Sequence, residues 1–200
     1  MRRLRCIMLV LALLIGIGVA VVPETTQASA RAFNPKGGCV WRESNGITHR
    51  YEIVVHWENL TWFQADQLAS QRKYKGVKGY LATITNGAED WCVRTMMLQS
   101  KIPAVDATGA WLGGHDLSKR GEWRWTNGPE KGSLVQRRFF LWHTNQPDNN
   151  PTERCLGYMY REGWVAGNNY PCTEVLTDGF FRDKMKRYIV EYTARGTVLR

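Results

Sequence analysis

Four widely spaced cysteines constrain this chain more than any other feature of its sequence. Beyond residue 30 they occupy positions Cys39, Cys92, Cys155 and Cys172. No C-x-x-C or H-x-x-x-H pair accompanies them, which argues against a zinc site. An even number of cysteines in an oxidising compartment predicts two disulfides instead. The N-terminus indicates whether the chain reaches such a compartment.

The N-terminus has the three parts of a secretory signal. Arginines lie within the first five positions, an uncharged apolar run covers 6–22, and Ala28-Ser29-Ala30 supplies the small residues that signal peptidase recognises. We expect residues 1–30 to be a signal peptide cleaved near Ala30, and the mature protein to be secreted or extracytoplasmic. The alternative is an uncleaved membrane anchor, since the run approaches the roughly 20 residues that span a bilayer.

The remaining composition is that of one basic domain. A chain of 200 residues with 44% hydrophobic residues can bury one sizeable core but is short for two. The formal charge of +9 becomes +7 without the signal, which carries three arginines and one glutamate. A basic surface favours anionic partners such as acidic polysaccharide or lipid headgroups, and export argues against nucleic acid. Alternatively, the charge only maintains solubility.

Two helices are predicted in the first half of the chain. Thr61 and Gln64 have capping-box spacing, and the helical periodicity that follows ends before Gly76. Asn86 is placed as the N-cap of a second helix, which extends to about Gln99. The pattern therefore predicts two helices between Thr61 and about Gln99.

Strands are predicted where short alternating, apolar or aromatic runs are bounded by turn residues. These runs are 50–57, 80–85, 110–112, 122–125, 139–142, 156–160 and 188–192. An N-terminal segment without clear periodicity, 31–49, precedes them, and a short tail, 194–200, follows. Two helices followed by several antiparallel strands predict an α+β domain over 50–193.

Five sequence strings occur in an order that identifies a fold family. They are GYLATIT at 79–85, WLGG at 111–114, GEWRW at 121–125, QPD at 146–148 and YIVEY at 188–192. Together they resemble a C-type lectin-like domain of the C-type lectin carbohydrate-recognition domain family. The resemblance implies two helices packed on short antiparallel sheets with a long loop region. It also implies binding and not enzymatic activity, and no histidine joins a nucleophile and an acid in a catalytic motif.

The resemblance also implies the pairing of the cysteines. Cys155 and Cys172 correspond to the inner disulfide of the family. The other usual bridge joins the first helix to the last strand, and both of its cysteines are absent here. We predict that the remaining two, Cys39 and Cys92, pair and tie the N-terminal segment to the second helix. The alternative is that Cys39 bonds to another chain.

Gln146-Pro147-Asp148 corresponds to the calcium site of the family. A cis bond before Pro147 would turn both flanking side chains toward one point, where a hard cation takes several oxygens. The resemblance implies calcium there and adds Glu153, Asn168 and Asn169 as ligands.

Two departures from the family pattern bear on this site. The acid expected at position 169 is an amide, Asn169, so the site carries two formal negative charges. We therefore expect weak calcium binding, with a Kd of about 10⁻⁴ to 10⁻³ M as in extracellular modules. An apparent insertion, Val165-Ala166-Gly167, is expected to shift the asparagine pair by several ångströms. The alternative is a polar surface loop with a structural proline.

In this family Gln-Pro-Asp resembles the galactose-type signature, as against Glu-Pro-Asn for mannose. Two adjacent sugar hydroxyls would join the calcium shell and exchange hydrogen bonds with the protein. The residues predicted for this role are Gln146, Asp148, Glu153 and Asn168. Galactose-type sites usually add an aromatic ring. Tyr170 and His143 are the candidates, because no aromatic residue stands between Asp148 and Cys155.

An alternative function uses the same fold without calcium. It is an adhesin or interaction domain that binds a protein or an anionic surface. The basic, aromatic segment 173–187 is longer than the corresponding family link, and is either a partner-binding loop or an elaborated turn.

Overall fold

A computed structural model describes residues 38–100, 108–173, 185–196 and 199. In chain order the elements are β1 (Cys39–Arg42), β2 (Ile47–Val55), α1 (Trp62–Gln71), β3 (Lys73–Tyr74), β4 (Val77–Leu81), α2 (Gly87–Gln99), β5 (Thr108–His115), β6 (Arg124–Trp125), β7 (Glu153–Arg161), β8 (Trp164–Pro171) and β9 (Arg187–Arg195). The predicted signal peptide, 1–30, and most of the segment 173–187 lie outside the described residues. Within the described ranges, no helix has the length and apolar character needed to cross a bilayer.

Both helices begin at the predicted caps. The Thr61 hydroxyl accepts from the Gln64 N–H at 3.2 Å, and the Gln64 side chain accepts from the Thr61 N–H at 2.9 Å. The Asn86 side chain accepts from Ala88 at 2.8 Å, and Glu89 accepts from the Asn86 N–H at 3.1 Å. These bonds satisfy backbone donors that the first turn of a helix leaves unpaired. Local sequence therefore determines where each helix starts.

The main sheet brings the two ends of the domain together. Its strand order is β1-β2-β9-β5-β7-β8, with β4 paired to β9 and β6 to β5. Antiparallel pairing of β2 with β9 runs from Ile47↔Arg195 to Val55↔Arg187, beyond the predicted 50–193 at both ends. Two helices with this largely antiparallel sheet confirm the α+β prediction.

Two strand predictions need correction. β1 lies in the N-terminal segment that showed no periodicity, and it pairs with β2 from Cys39↔Tyr51. The run 139–142 is not a strand, because the Phe140 N–H donates to the Gln136 carbonyl in a turn, and Trp142 makes only an isolated bridge. Phe140 is instead buried among aromatic rings, stacking on Tyr158 at 5.4 Å. An aromatic run can thus serve packing without joining a ladder.

Both predicted disulfides are confirmed. Cys39 bonds to Cys92 across 5.8 Å between Cα atoms, which fixes β1 to α2. Cys155 bonds to Cys172 across 5.2 Å and joins β7 to the residue that follows β8. The second bridge holds the far end of the β7–β8 hairpin, where the candidate ligands lie.

Candidate functional site

A tight loop presents Gln146 and Asp148 beside β8. The peptide bond between Gln146 and Pro147 is cis, the geometry that turns both flanking side chains toward one point. The loop is fixed to β8 because the His143 N–H donates to the Gly167 carbonyl at 2.9 Å and the Gly167 N–H donates to the Leu141 carbonyl at 2.7 Å. These bonds determine which β8 residues face the loop.

The strand β8 runs through the apparent insertion without interruption. Its pairing with β7 is regular from Leu156↔Asn169 to Arg161↔Trp164. The three residues 165–167 are therefore ordinary strand positions, and Asn169 still reaches Asp148. Loop length between two cysteines could not distinguish a longer hairpin from a bulge.

Four of the predicted ligands come together. The Asn169 amide donates to Asp148 Oδ1 at 2.8 Å and to the Glu153 carbonyl at 3.2 Å. Gln146 Oε1 accepts from the Asp148 N–H at 3.1 Å. Asn150, which the sequence analysis did not single out, donates to the Glu153 carboxylate at 3.1 Å. The cluster thus unites the loop, the start of β7 and the end of β8.

Asn168 and Tyr170 do not join this cluster. Successive strand residues point to opposite faces, so both lie on the other side of β8 from Asn169. The Tyr170 ring packs edge-on against Trp111 at 5.6 Å, and the Asn168 side chain donates to the Asn169 carbonyl at 2.8 Å. Because Tyr170 is 1% exposed, it offers no ring face to a sugar, and this prediction is corrected. Asn168 is likewise buried on the other face of β8, so its predicted role as a calcium ligand is also corrected.

His143 lies beside the cluster, on the wall of an adjacent cavity. This cavity of about 610 Å³ is also lined by Gln146. Burial lowers the pKa of the half-buried His143. Its Nε2 lies 3.3 Å from the Met159 carbonyl oxygen, which only accepts, so Nε2 carries the proton of a neutral ring. His143 therefore offers an uncharged polar edge to the cavity.

The two carboxylates of the cluster have different electrostatics. Burial, reinforced by the charge of Asp148, raises the pKa of Glu153 to about 7, against the lowering effect of the Asn150 hydrogen bond. The hydrogen bond from Asn169 holds the pKa of Asp148 below its usual value. In the described ranges neither carboxylate forms an ion pair with a protein cation. A bound cation would relieve their mutual repulsion.

The donor set fits a hard cation such as calcium. All four side chains carry oxygens, which are the ligands that calcium takes. Asn169 Oδ1 is buried and has no hydrogen-bond partner. A half-turn of this amide exchanges its oxygen and nitrogen and brings an oxygen to the position 2.8 Å from Asp148 Oδ1. Asn169 can therefore serve as a donor to Asp148 without an ion and as a ligand with one.

A second polar cluster lies in the core, away from this site. The ligand-type atoms of His49, Glu89 and Glu191 lie within 4.8 Å of one another, all buried. Hydrogen bonds satisfy this group: Glu191 contacts His49 Nδ1 at 2.6 Å and the Tyr80 hydroxyl at 2.8 Å. Burial alone would lower the pKa of His49, but Glu191, with help from Glu43 and Glu89, raises it to about 9. The imidazolium is thus the cation of this cluster, which joins β2, α2 and β9.

His49 was not singled out from the sequence, where no histidine belongs to a catalytic motif. The available signal was Glu191, an acid in the middle of an otherwise apolar closing strand. A buried carboxylate needs a partner. The partner of Glu191 could be identified only from the pairing of β2 with β9, which places His49 opposite Thr193, two residues from Glu191.

Comparisons with known proteins agree with this architecture. Halomucin from Haloquadratum walsbyi is 37% identical over 121 residues, 60% of this chain but 1% of halomucin. The Alpha-N-acetylgalactosamine-specific lectin of Patiria pectinifera is 29% identical over 162 residues, which cover 80% of this chain and 86% of that lectin. The crystal structure of human lithostathine aligns with a TM-score of 0.52 over 78% of this chain and 89% of that one. At 17% sequence identity, the last likeness concerns the fold alone.

The family assignment rests on a match to most of the domain. The sequence model of the Lectin C-type domain matches residues 58–177, more than half of the chain. This range contains both helices and the strands from β3 to β8, with the Gln146-Pro147-Asp148 loop. The chain therefore belongs to the C-type lectin domain family.

Proposed function

We propose that this protein is an exported lectin that binds a galactose-type sugar through a calcium ion. Gln146, Asp148, Glu153 and Asn169 would hold the ion. The observation that carries the proposal is the 2.8 Å contact between Asn169 and Asp148, next to the buried Asn169 oxygen that has no partner. Together these features supply a set of oxygen ligands, one of which is a buried oxygen that a cation would stabilise.

The sugar would contact both the ion and the protein. When bound, calcium accepts two adjacent hydroxyl oxygens of the sugar into its shell. The Asp148 carboxylate only accepts hydrogen bonds, whereas the Gln146 amide also donates. Their order around Pro147 therefore selects one arrangement of hydroxyls, which in this family is the galactose type. The specificity in the name of the Patiria pectinifera lectin, α-N-acetylgalactosamine, supports the same choice.

Export is supported by the two disulfides, because such bonds persist in oxidising compartments. A signal peptide at 1–30 remains the prediction for how the chain leaves the cell. The mature protein would then meet the millimolar calcium that extracellular modules of weak affinity require.

Thermal unfolding of the mature protein in calcium and in EDTA tests the cation site. With a Kd near the weak end of the extracellular range, about 10 mM calcium stabilises by about 1.4 kcal/mol, a rise in Tm of about 3 to 6 °C. Asp148→Asn should remove this rise and also galactose binding. Glu58→Gln is the matched control, because it removes an exposed carboxylate outside the cluster. Galactose binding that is equal in calcium, in EDTA and in Asp148→Asn would refute the proposal.

The basic charge favours a second candidate function, the binding of an anionic surface or a protein without calcium. The mature charge of +7 attracts acidic polysaccharide or lipid headgroups. Such binding would resist EDTA and weaken steeply with salt, because exposed charges are screened. Calcium-dependent sugar binding would instead be lost in EDTA and change little with salt. One titration with EDTA and one with salt therefore separate the two functions.

A further inference from the structure

The cavity next to the calcium-type cluster continues away from it as a groove. One wall is the loop 141–146, and the other is the tip of the β7–β8 hairpin with Arg161 and Trp164. Met159 and Ala166, both nearly fully buried, also line it. Gln146 belongs both to the cluster and to the lining of the groove, so the groove begins beside the cluster. The volume of about 610 Å³ falls within the usual size of small-molecule sites.

Trp164 is exposed but firmly positioned. Its side chain is 64% exposed, whereas most large aromatic residues of the domain are buried. It is the first residue after a two-residue hairpin turn, Glu162-Gly163, in which both φ angles are positive, at 51° and 84°. Arg161 pairs directly with Trp164 across the turn. Such primed turns match the strand twist and fix the geometry of the flanking residues.

The groove combines one aromatic face with many hydrogen-bonding groups. Around the indole of Trp164 stand donors and acceptors of several kinds, on His143, Thr144, Asn145, Gln146, Arg161 and Glu162. A pyranose ring has the matching character, with an apolar face of C–H groups and a rim of hydroxyls. Neither a purely apolar ligand nor a compact anion would use both parts of this lining.

We propose that the groove binds the second sugar of a glycan whose terminal sugar occupies the calcium site, with Trp164 stacking on the second ring. This inference rests on the proposed lectin function, because the cluster must hold the first sugar. It changes the substrate class from a single sugar to a chain of at least two residues. It also assigns a specificity role to a residue outside the Gln-Pro-Asp loop.

Calorimetric titrations with two probes test the subsite. The probes are methyl β-galactoside and a linear trisaccharide that ends in galactose, both in saturating calcium. We expect the trisaccharide to bind the native protein about tenfold more tightly, the gain from burying about 60 Å² of apolar surface. Trp164→Ala should abolish this gain and leave the monosaccharide Kd within about twofold of native. Trp164→Tyr should keep most of the gain.

Trp91→Ala is the matched control. Trp91 is 65% exposed and lies on α2, against β1 and away from the groove, so its loss should leave both affinities unchanged. Equal binding of both probes to the native protein would overturn the subsite while leaving the lectin function intact. A monosaccharide affinity that falls as much as the trisaccharide affinity in Trp164→Ala would also overturn it. Absence of calcium-dependent binding of either probe would overturn the lectin function and the subsite together.

Discussion

Asn169→Asp should make the stability of the domain depend more strongly on calcium. The substitution changes one amide group into a carboxylate with almost no change in shape. In the native protein the Asn169 amide donates to Asp148 Oδ1 at 2.8 Å. In the variant two carboxylates would face each other at this distance, where no hydrogen bond is possible while both are ionised.

The cost without calcium follows from this contact, with the two charge centres about 4 Å apart because each carboxylate shares its charge between two oxygens. Two like charges about 4 Å apart repel by about 1 kcal/mol in water and about 4 kcal/mol near a protein surface. Asp148 is exposed and Asn169 is buried, so the value should lie between these limits. A mid-range cost of about 2.5 kcal/mol lowers the Tm of a domain of this size by about 5 to 10 °C. The Tm in EDTA should therefore fall by this amount.

Calcium should recover about half of this loss, because the added carboxylate then has a counter-ion. An affinity gain of tenfold, from a Kd of about 1 mM to about 0.1 mM, raises the stabilisation at 10 mM calcium from about 1.4 to about 2.7 kcal/mol. The difference in Tm between calcium and EDTA should therefore be about twice that of the native protein.

Differential scanning calorimetry in EDTA and in calcium measures both effects. Asn149→Asp makes the same change of charge at an exposed neighbouring residue, so it controls for net charge alone. A variant with an unchanged Tm in EDTA would show that residue 169 does not face Asp148. A variant that is destabilised equally in calcium and in EDTA would show that the cluster does not hold the ion.

Two further predictions concern the scaffold. Because the pKa of His49 is raised to about 9 from 6.5, its stabilising effect is complete below about pH 6.5 and is lost as pH rises through 9. The Tm should fall over this range in the native protein and less in His49→Gln, and equal slopes would contradict the role of the imidazolium. Gly167→Ala should destabilise by about 1 to 3 kcal/mol in denaturant unfolding, since a Cβ there would lie 2.2 Å from the Phe140 ring. Gly87→Ala, where a Cβ meets nothing within 4 Å, is its control, and equal stabilities would refute the close packing.

Features with a local or pairwise cause could be predicted from the sequence. The helix starts follow from reciprocal bonds over three residues, so Thr61 with Gln64 and Asn86 with Glu89 carry the information themselves. The family resemblance identified one disulfide, and the even number of cysteines left one partner for Cys39.

Features that depend on strand pairing could not be predicted in this way. Asn169 and Tyr170 are adjacent in sequence, yet one reaches Asp148 and the other is buried against Trp111, because a strand alternates its faces. Tyr170 was a candidate for the ring against the sugar because no aromatic residue stands between Asp148 and Cys155, but the structure buries it. Spacing from Cys172 indicated an insertion where the structure has a regular hairpin. Each error arose from counting residues along the chain without knowing the register of β7 and β8.

If the cluster binds calcium as proposed, the amide at position 169 would let the domain fold before the ion binds. A third carboxylate would leave Asp148, Glu153 and residue 169 repelling one another until a cation arrived. Asn169 instead donates to Asp148 at 2.8 Å and keeps its own oxygen buried nearby, so under the proposed function the loop would not need an ion to hold its shape. The consequence is weaker attraction for calcium, since affinity rises with ligand charge. A lectin with this cluster would hold its loop in place at all calcium concentrations and gain sugar affinity only where calcium is plentiful.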